Sequence, residues 1–237
     1  GQRYSPKITG FHSAYAGMAD AFGKPVVIGL NPETSTYELN HGKTSRALDI
    51  VFKPVGITCM EQVKSFFVAS GNYIYRVGLD GNIVQHIPAF TRPFISGAIT
   101  ASDSLIAASS QGNIMLYTEN STAQRLDIES GIDDVTSLSF VDRNLIAASH
   151  NHLTIRMFDP NGNHISCFCG HAGGIKAITP CGKFCFLTGS SDRTAKLWDT
   201  RTAQSVMQLQ CHDDVVSAVF GPNDEEPPIY IATGSDD

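Results

Sequence analysis

The residues in this sequence best suited to chemistry are a histidine and an aspartate, His171 and Asp192. A His–Asp pair orients the imidazole that acts as general base in many hydrolases. Such a set also needs a nucleophile, and no serine or cysteine is placed to complete it. The same residue types also recur along the chain at a regular interval. We therefore predict a structural pair, no catalytic residue and no enzymatic activity.

Cysteine and histidine are frequent around this pair, which raises the question of a zinc site. Their spacing does not repeat the C-x₂₋₄-C pairing of zinc fingers or ribbons, and small buried thiols are common in strand cores. We predict no metal site and interpret the thiols as core residues. The set comprises Cys167, Cys169, His171, Cys181, Cys185, Cys211 and His212.

Two short acidic or amide-rich segments resemble fragments of calcium loops, namely Asp80-Gly81-Asn82 and Asn161-Gly162-Asn163. Neither continues into the alternating oxygen ligands and final glutamate that a calcium loop requires. Asp-Gly and Asn-Gly supply the positive φ of tight turns, so hairpin turns are the better interpretation. Glycine-rich phosphate-binding patterns are absent from the sequence, and we expect no cofactor.

Composition sets limits on the class of protein. The 237 residues are 42% hydrophobic and carry a formal net charge of −6, which disfavours both disorder and general binding to a nucleic-acid backbone. No apolar run approaches the roughly 20 residues that span a bilayer, and the first residues lack the apolar stretch of a signal peptide. We expect free cysteines, no membrane insertion and a cytoplasmic location, with the nucleus as the alternative.

An internal repeat of about 40 residues organises the chain. Aromatic or apolar residues that close strand-like runs recur 40, 40, 41 and 40 residues apart, at Tyr37, Val77, Tyr117, Phe158 and Trp198. Small-residue steps recur in phase, at Gly29-Leu30, Ala69-Ser70, Ala108-Ser109, Ala148-Ser149, Gly189-Ser190 and Gly234-Ser235. Apolar residues open each unit, at Ile57, Ile95, Val135, Ile175 and Val216.

Each unit contains four short strand-like runs separated by Gly, Asp, Asn and Pro turns. No window shows a convincing helical stripe of apolar residues, which excludes βαβ units. Four strands per 40 residues are typical of a blade of a β-propeller. The sequence thus predicts an all-β fold of four-stranded blades, with about six blades begun.

One unit resembles a complete WD repeat. Its residues are Gly170-His171, then Thr188-Gly189-Ser190-Ser191-Asp192, then Trp198-Asp199. The next unit resembles the same motif through His212 and Thr233-Gly234-Ser235-Asp236-Asp237. Earlier units keep the period but depart from the motif, as in Phe158-Asp159 and in Gly131, which stands where a histidine is expected.

The resemblance implies a buried hydrogen-bond network and assigns a role to each matching residue. Trp198 is expected to donate its indole N–H to Thr188, whose hydroxyl bonds His171, and His171 then bonds Asp192. A second, partial network of His212, Thr233 and Asp237 is expected in the next unit. Buried groups of this kind need partners, at about 1–3 kcal/mol for each unsatisfied one.

A seven-bladed ring at this period needs roughly 280–300 residues, so we expect the chain to be an incomplete ring. Its domains are then a leader or closing outer strand over residues 1–13 and a WD-repeat propeller over residues 14–237, with the last blade truncated.

The resemblance implies a non-catalytic interaction scaffold that binds other proteins or peptide motifs through its loops, with no small-molecule substrate and no nucleic acid. A propeller-based enzyme and a ribonucleoprotein assembly factor are the alternatives. The first needs acids or bases on the opening strands, which carry few, and the second is disfavoured by the net charge. Charged or aromatic loop residues form the candidate partner-binding face, namely Arg92, Phe94, Asp133, Asp134, Arg193, Asp213 and Asp214.

Overall fold

In the part of the chain that the structure describes, every regular secondary-structure element is a β-strand. The computed structural model describes residues 14–19, 25–42, 44–94, 97–102, 104–118, 126–149, 151–210, 219–220 and 232–233. Within these ranges there is no helix long and apolar enough to cross a membrane. The chain divides into two compact units, residues 1–93 and 94–237, each with its own sheets.

The first unit holds two four-stranded sheets. One is formed by β1 (Ala14–Ala19), β2 (Pro25–Asn31), β3 (Thr36–His41) and β4 (Thr44–Leu48). The other is formed by β5 (Pro54–Met60), β6 (Ser65–Ser70), β7 (Tyr73–Gly78) and β8 (Ile83–Pro88). In both sheets the strands follow chain order and every neighbouring pair is antiparallel.

The second unit repeats the same sheet. Three four-stranded sheets and one strand pair follow each other along the chain, all antiparallel and in chain order. Their strands are β9 (Ile99–Ala101), β10 (Leu105–Ser110), β11 (Asn113–Thr118), β12 (Leu126–Glu129), β13 (Ser137–Val141), β14 (Asn144–Ala148), β15 (Thr154–Phe158), β16 (His164–Cys169), β17 (Ile175–Pro180), β18 (Cys185–Ser190), β19 (Thr194–Asp199), β20 (Gln204–Gln210), β21 (Val219–Phe220) and β22 (Ala232–Thr233).

These sheets confirm the predicted fold class and its period. The second strands carry the period most clearly, because they begin at Pro25, Ser65, Leu105, Asn144 and Cys185. They are also the most completely buried strands: every residue of β6 is buried, whereas β20 is exposed along nearly its whole length. A strand covered on both faces reads as a continuous apolar run, which is the pattern of Ser65–Ser70.

The hydrophobic core lies between consecutive sheets within each unit. Between the sheets β13–β16 and β17–β20, the rings of Phe168, Phe186 and Trp198 meet with centroids 4.9 to 6.3 Å apart. Edge-to-face and offset contacts of this kind add to the burial of apolar area. Similar clusters join β1–β4 to β5–β8 and β9–β12 to β13–β16.

Two of the residues that mark the repeat, Tyr37 and Val135, do not lie at the strand positions that the sequence predicts. Tyr37 is the second residue of β3 and pairs with Leu30, whereas Val77 lies near the end of its strand and pairs with Phe66. A longer turn between β2 and β3 than between β6 and β7 causes this offset. Val135 precedes β13 instead of opening it, while Ile95 and Val216 lie outside the described residues.

The small-residue steps have a shared structural cause. A buried serine stands at or next to the end of four second strands, β6, β10, β14 and β18. The hydroxyl of Ser70 bonds the carbonyl of Phe52, and that of Ser190 bonds the carbonyl of Gly173 at 3.0 Å. Ser109 accepts from the N–H of Ala98 at 2.8 Å and donates to the carbonyl of Val135 at 2.8 Å. The hydroxyl of Ser109 thus links β10 to two other backbone segments.

Replacing Ser109 by alanine is expected to lower the free energy of unfolding by about 1–3 kcal/mol, because buried backbone groups at Ala98 and Val135 lose their partner. The half-buried neighbour Ser110 provides the control, and Ser110→Ala is expected to change stability by under about 0.5 kcal/mol. Urea unfolding followed by far-UV circular dichroism measures both. Equal losses in the two variants contradict this role of the serine.

Candidate functional site

Four side chains from different elements of one sheet meet around the loop before β17. His171 follows β16, Thr188 lies in β18, Asp192 lies in the turn after β18, and Trp198 lies in β19. Gly170 precedes the histidine with φ of 144°, a conformation that L side chains rarely adopt. A Cβ at Gly170 would lie 3.5 Å from the indole of Trp198, an ordinary van der Waals contact, so the backbone angle and not a lack of space favours glycine here.

Trp198, Thr188 and His171 form a continuous chain of hydrogen bonds. The indole Nε1–H of Trp198 donates to Thr188 Oγ1 at 2.8 Å, and His171 Nε2 is 2.7 Å from the same oxygen. Because the indole can only donate, the threonine hydroxyl is free to donate onward to Nε2. Because Nε2 then accepts a hydrogen bond, the proton of the neutral imidazole lies on Nδ1.

Asp192 completes the chain at the other imidazole nitrogen. Its Oδ2 lies 2.8 Å from His171 Nδ1 and also accepts the N–H of Ala172 at 2.8 Å. Its Oδ1 accepts the N–H and the hydroxyl of Thr194, at 2.9 and 2.7 Å. Both carboxylate oxygens are therefore engaged by donors from the loop and the turn.

The environment fixes the charge of both groups. Burial lowers the pKa of His171 below its usual 6.5, more than the hydrogen bond and charge of Asp192 raise it. Burial alone would raise the pKa of Asp192, but hydrogen bonds from Thr194, Ala172 and His171 outweigh it and lower that pKa to about 2. The pair is a neutral imidazole against a carboxylate.

This arrangement is suited to holding loops together. His171 is 5% exposed and Thr188 is fully buried, so neither presents an atom to a ligand from solvent. Each imidazole nitrogen already has a partner, which leaves no free base. The set ties residues 170–174 to the turn after β18 and both to β19, so it rigidifies this end of the sheet.

Sequence reasoning missed two contributors to this region. Thr194 supplies two of the donors to Asp192, and its position two residues after an aspartate in a turn is a recognisable signal. Arg201 makes a two-pronged contact with Asp199, at 2.9 and 2.6 Å. Hydrogen bonds from the Arg201 side chain lower the pKa of Asp199 to about 2.

The aspartate of the Trp-Asp pair thus organises the next turn and takes no part in the buried chain. Asp199 Oδ1 accepts the N–H of Arg201 at 2.9 Å, and Asp159 Oδ1 accepts that of Asn161 at 2.8 Å. Asp80 and Asn82 are bonded in the same way at 3.1 Å. The segments that resembled calcium-loop fragments are therefore hairpin turns whose carboxylates bind backbone N–H groups.

The preceding sheet has no counterpart of the network. Ala147 takes the strand position of Thr188, and Phe158 that of Trp198. Gly131 stands at the position that corresponds to His171. The guanidinium of Arg156 fills the space beside it, because its Nη1 lies 2.5 Å from where a Cβ of residue 131 would be. Of the second expected network, Thr233 lies on β22, while His212 and Asp237 are outside the described residues.

The structure corrects one member of the candidate partner-binding face. Phe94 is only 6% exposed and cannot act as an exposed anchor; an apolar ring here is core material. Arg193 and Asp133 are exposed, Asp134 is half-buried, and Asp133 lies 3.5 Å from His152 Nε2. Arg92 is exposed and belongs to the first unit, and Asp213 and Asp214 are outside the described residues.

The interpretation of the cysteines as core residues is wrong for two of them. Cys181 is buried and Cys59 and Cys185 are partly buried, but Cys167 and Cys169 on β16 are exposed. Cys211 lies outside the described residues. Among the residues that are described, no group of three or more His, Cys, Asp or Glu side chains is arranged to hold a metal ion.

Trp198→Phe removes the buried Trp198–Thr188 hydrogen bond, and Thr188→Val removes that bond together with the one to His171, so each is expected to lower the free energy of unfolding by at least about 1–3 kcal/mol. The double variant should lose less than the sum of the two, because the bond can be lost only once. Urea unfolding of the four proteins measures the coupling. Strict additivity contradicts a direct Trp198–Thr188 bond.

Acidification is expected to destabilise the protein in two stages. Because the folded pKa of His171 is below 6.5, the unfolded chain binds that proton more readily, and stability falls as the pH drops below about 6.5. The lowered pKa of Asp192 adds a second loss as the pH falls from about 3.8 towards about 2.

Urea unfolding at about pH 7.5 and about pH 5.5 tests the first stage. His171→Gln should be less stable at the higher pH but lose less stability on acidification than the unmodified protein. Replacing the exposed His86 by glutamine is the control and should keep the original pH dependence. An unchanged dependence in His171→Gln means that His171 titrates alike in both states.

Comparison with known proteins identifies one repeat and the fold. The WD40 repeat family (WD domain, G-beta repeat) matches residues 162–199, which run from the turn before β16 to the end of β19. No curated protein sequence matches the chain. Among solved structures, the WD40 beta propeller domain of Doa1 superposes with a TM-score of 0.71 at 14% identity, covering 87% of this chain and 71% of that one. The chain therefore contains a WD40 repeat at residues 162–199 and has the fold of a WD40 β-propeller domain.

Proposed function

We propose that this protein is a non-catalytic interaction scaffold whose loops bind other proteins or peptide motifs. The observation that carries the proposal is the complete engagement of His171 and Asp192 by partners inside the sheet. This His–Asp pair, whose residue types also occur in catalytic sites, is used to fix loops. WD40 propellers generally act as protein-binding platforms, and their fold supports the same role here.

The proposed binding surface of the second unit is centred on Arg193. This residue directly follows Asp192, has a φ of 68° and is exposed. Its backbone is constrained because Asp192 accepts four hydrogen bonds and the Arg193 N–H bonds the carbonyl of Ser190 at 3.2 Å. A guanidinium held on a rigid turn loses little backbone entropy on binding, and arginine is among the residues that dominate interface energetics.

An exposed aspartate in the loop before β13 adds a negative charge to the proposed surface. Asp133 precedes β13, and its carboxylate side chain is 99% exposed. The loop that carries it is held by the carbonyl of Val135, which accepts from Ser109. Arginine and aspartate presented on fixed loops suit a partner segment of mixed charge.

A propeller-based enzyme remains the alternative from another class. It would need acids or bases on the first strand of several sheets. The first strands β1, β5, β9, β13 and β17 carry no Asp, Glu or His, and their only ionisable side chains are Tyr15, Cys59 and Lys176. That composition favours the scaffold.

Arg193→Glu is expected to remove or strongly weaken the proteins captured from lysate by the full chain, because it reverses the charge at the centre of the proposed surface. Arg143→Glu, in the exposed turn between β13 and β14, is the matched control with the same change in net charge and should capture the original set. Quantitative mass spectrometry compares the three samples.

An unchanged set with Arg193→Glu contradicts this surface. If both variants lose the same proteins, net charge governs the binding, which equally contradicts a site at Arg193.

A further inference from the structure

A bulge in the outermost strand of one sheet brings a histidine and a cysteine together. His164 and Cys167 are three residues apart on β16, so a regular strand would place them on opposite faces. Instead, Phe158 pairs with His164, and the register then shifts so that Met157 pairs with Ser166. Ile165 is the extra residue, and a bulge re-aims the side chains that follow it.

The result is a direct contact between an imidazole and a thiol. His164 Nε2 lies 3.2 Å from Cys167 Sγ, and both residues are exposed. The ring of His164 also packs edge-on against Phe158, with centroids 5.8 Å apart, which orients it. A nucleophile within hydrogen-bonding reach of a base whose orientation is fixed by a third group is the arrangement of an activated thiol.

A cation shares the face of the sheet that carries the thiol. Arg156 is the cross-strand partner of Cys167, so the two side chains share one face of the sheet. Its Nε is buried and has no hydrogen-bond partner among the described residues. The positive charge of Arg156 on this face attracts an incoming reagent that carries carboxylates.

We propose that Cys167 is a site of reversible S-thiolation by small disulfides bearing carboxylates, such as glutathione disulfide, with His164 as the proton acceptor. The Cys167 thiol gives its proton to His164 Nε2 as its sulfur attacks one sulfur of the disulfide. A protein–glutathione S–S bond forms and the original S–S bond breaks. The departing glutathione thiolate takes the proton from the imidazolium, so one glutathione leaves for each one bound.

The chain supplies its own matched comparison. Cys169 lies two residues further on the same face of β16 and is also exposed. Its sulfur is 3.9 Å from the hydroxyl of Thr154. Cys169 therefore lies beside a hydroxyl, whereas Cys167 lies beside an imidazole that can act as a base. Cys181 is buried, and burial raises the pKa of its thiol. A rate difference between Cys167 and Cys169 therefore reports the imidazole.

The experiment exposes the folded full chain to glutathione disulfide, quenches samples with acid, and measures the modified fraction at each cysteine by peptide mass spectrometry. Cys167 is expected to react on the order of tenfold faster than Cys169. His164→Gln should reduce its rate to that of Cys169, and His86→Gln, an exposed histidine on another sheet, should leave it unchanged. Thermal melts verify that each variant is folded.

Equal initial rates at Cys167 and Cys169 in the unmodified protein overturn the proposal, and that comparison does not depend on the folding of any variant. A Cys167 rate that is the same in folded His164→Gln as in the unmodified protein overturns it as well. Either result leaves the scaffold proposal untouched, because β16 is not part of the surface around Arg193.

Discussion

The buried hydrogen-bond chain from Trp198 to Asp192 is the constraint on which the sheet β17–β20 depends. Every donor in it is satisfied, and removing any one member strands a polar group that has no access to water. The same indole packs against Phe168 of the preceding sheet, 5.9 Å between centroids. The network therefore fixes the loop before β17 and also holds the ring that joins two sheets.

A simpler device serves the sheets that lack this network. Ser109, next to the end of β10, and Ser190, at the end of β18, are fully buried and bond the loop that enters the first strand. In the sheet of β17–β20 the serine and the network act together, since Ser190 also accepts the N–H of Asp192 at 3.1 Å. The serine recurs because its size and its hydroxyl are both required. The histidine and tryptophan are an addition to it, which explains why the recognisable repeat is short while the fold repeats throughout.

The period and the four-stranded sheets were predictable because they depend on burial, which leaves an apolar pattern in the sequence. The partners of Trp198 were predictable because the motif names them. Tyr37 was misplaced because a turn of different length shifts the strand without changing the spacing of apolar residues. The burial of Phe94 was not predictable, because an aromatic residue in a loop has the same sequence appearance whether it faces solvent or the core.

The contact between His164 and Cys167 was beyond sequence reasoning for a sharper reason. Alternation along a strand places residues three apart on opposite faces, so the correct rule gives the wrong answer unless the bulge at Ile165 is known. Bulges leave little trace in composition, because almost any residue can be the extra one. They are tolerated here because β16 is an edge strand with one ladder to satisfy. The buried network belongs to the next sheet, on β18, β19 and their loops, and so the exposed pair on β16 does not disturb it.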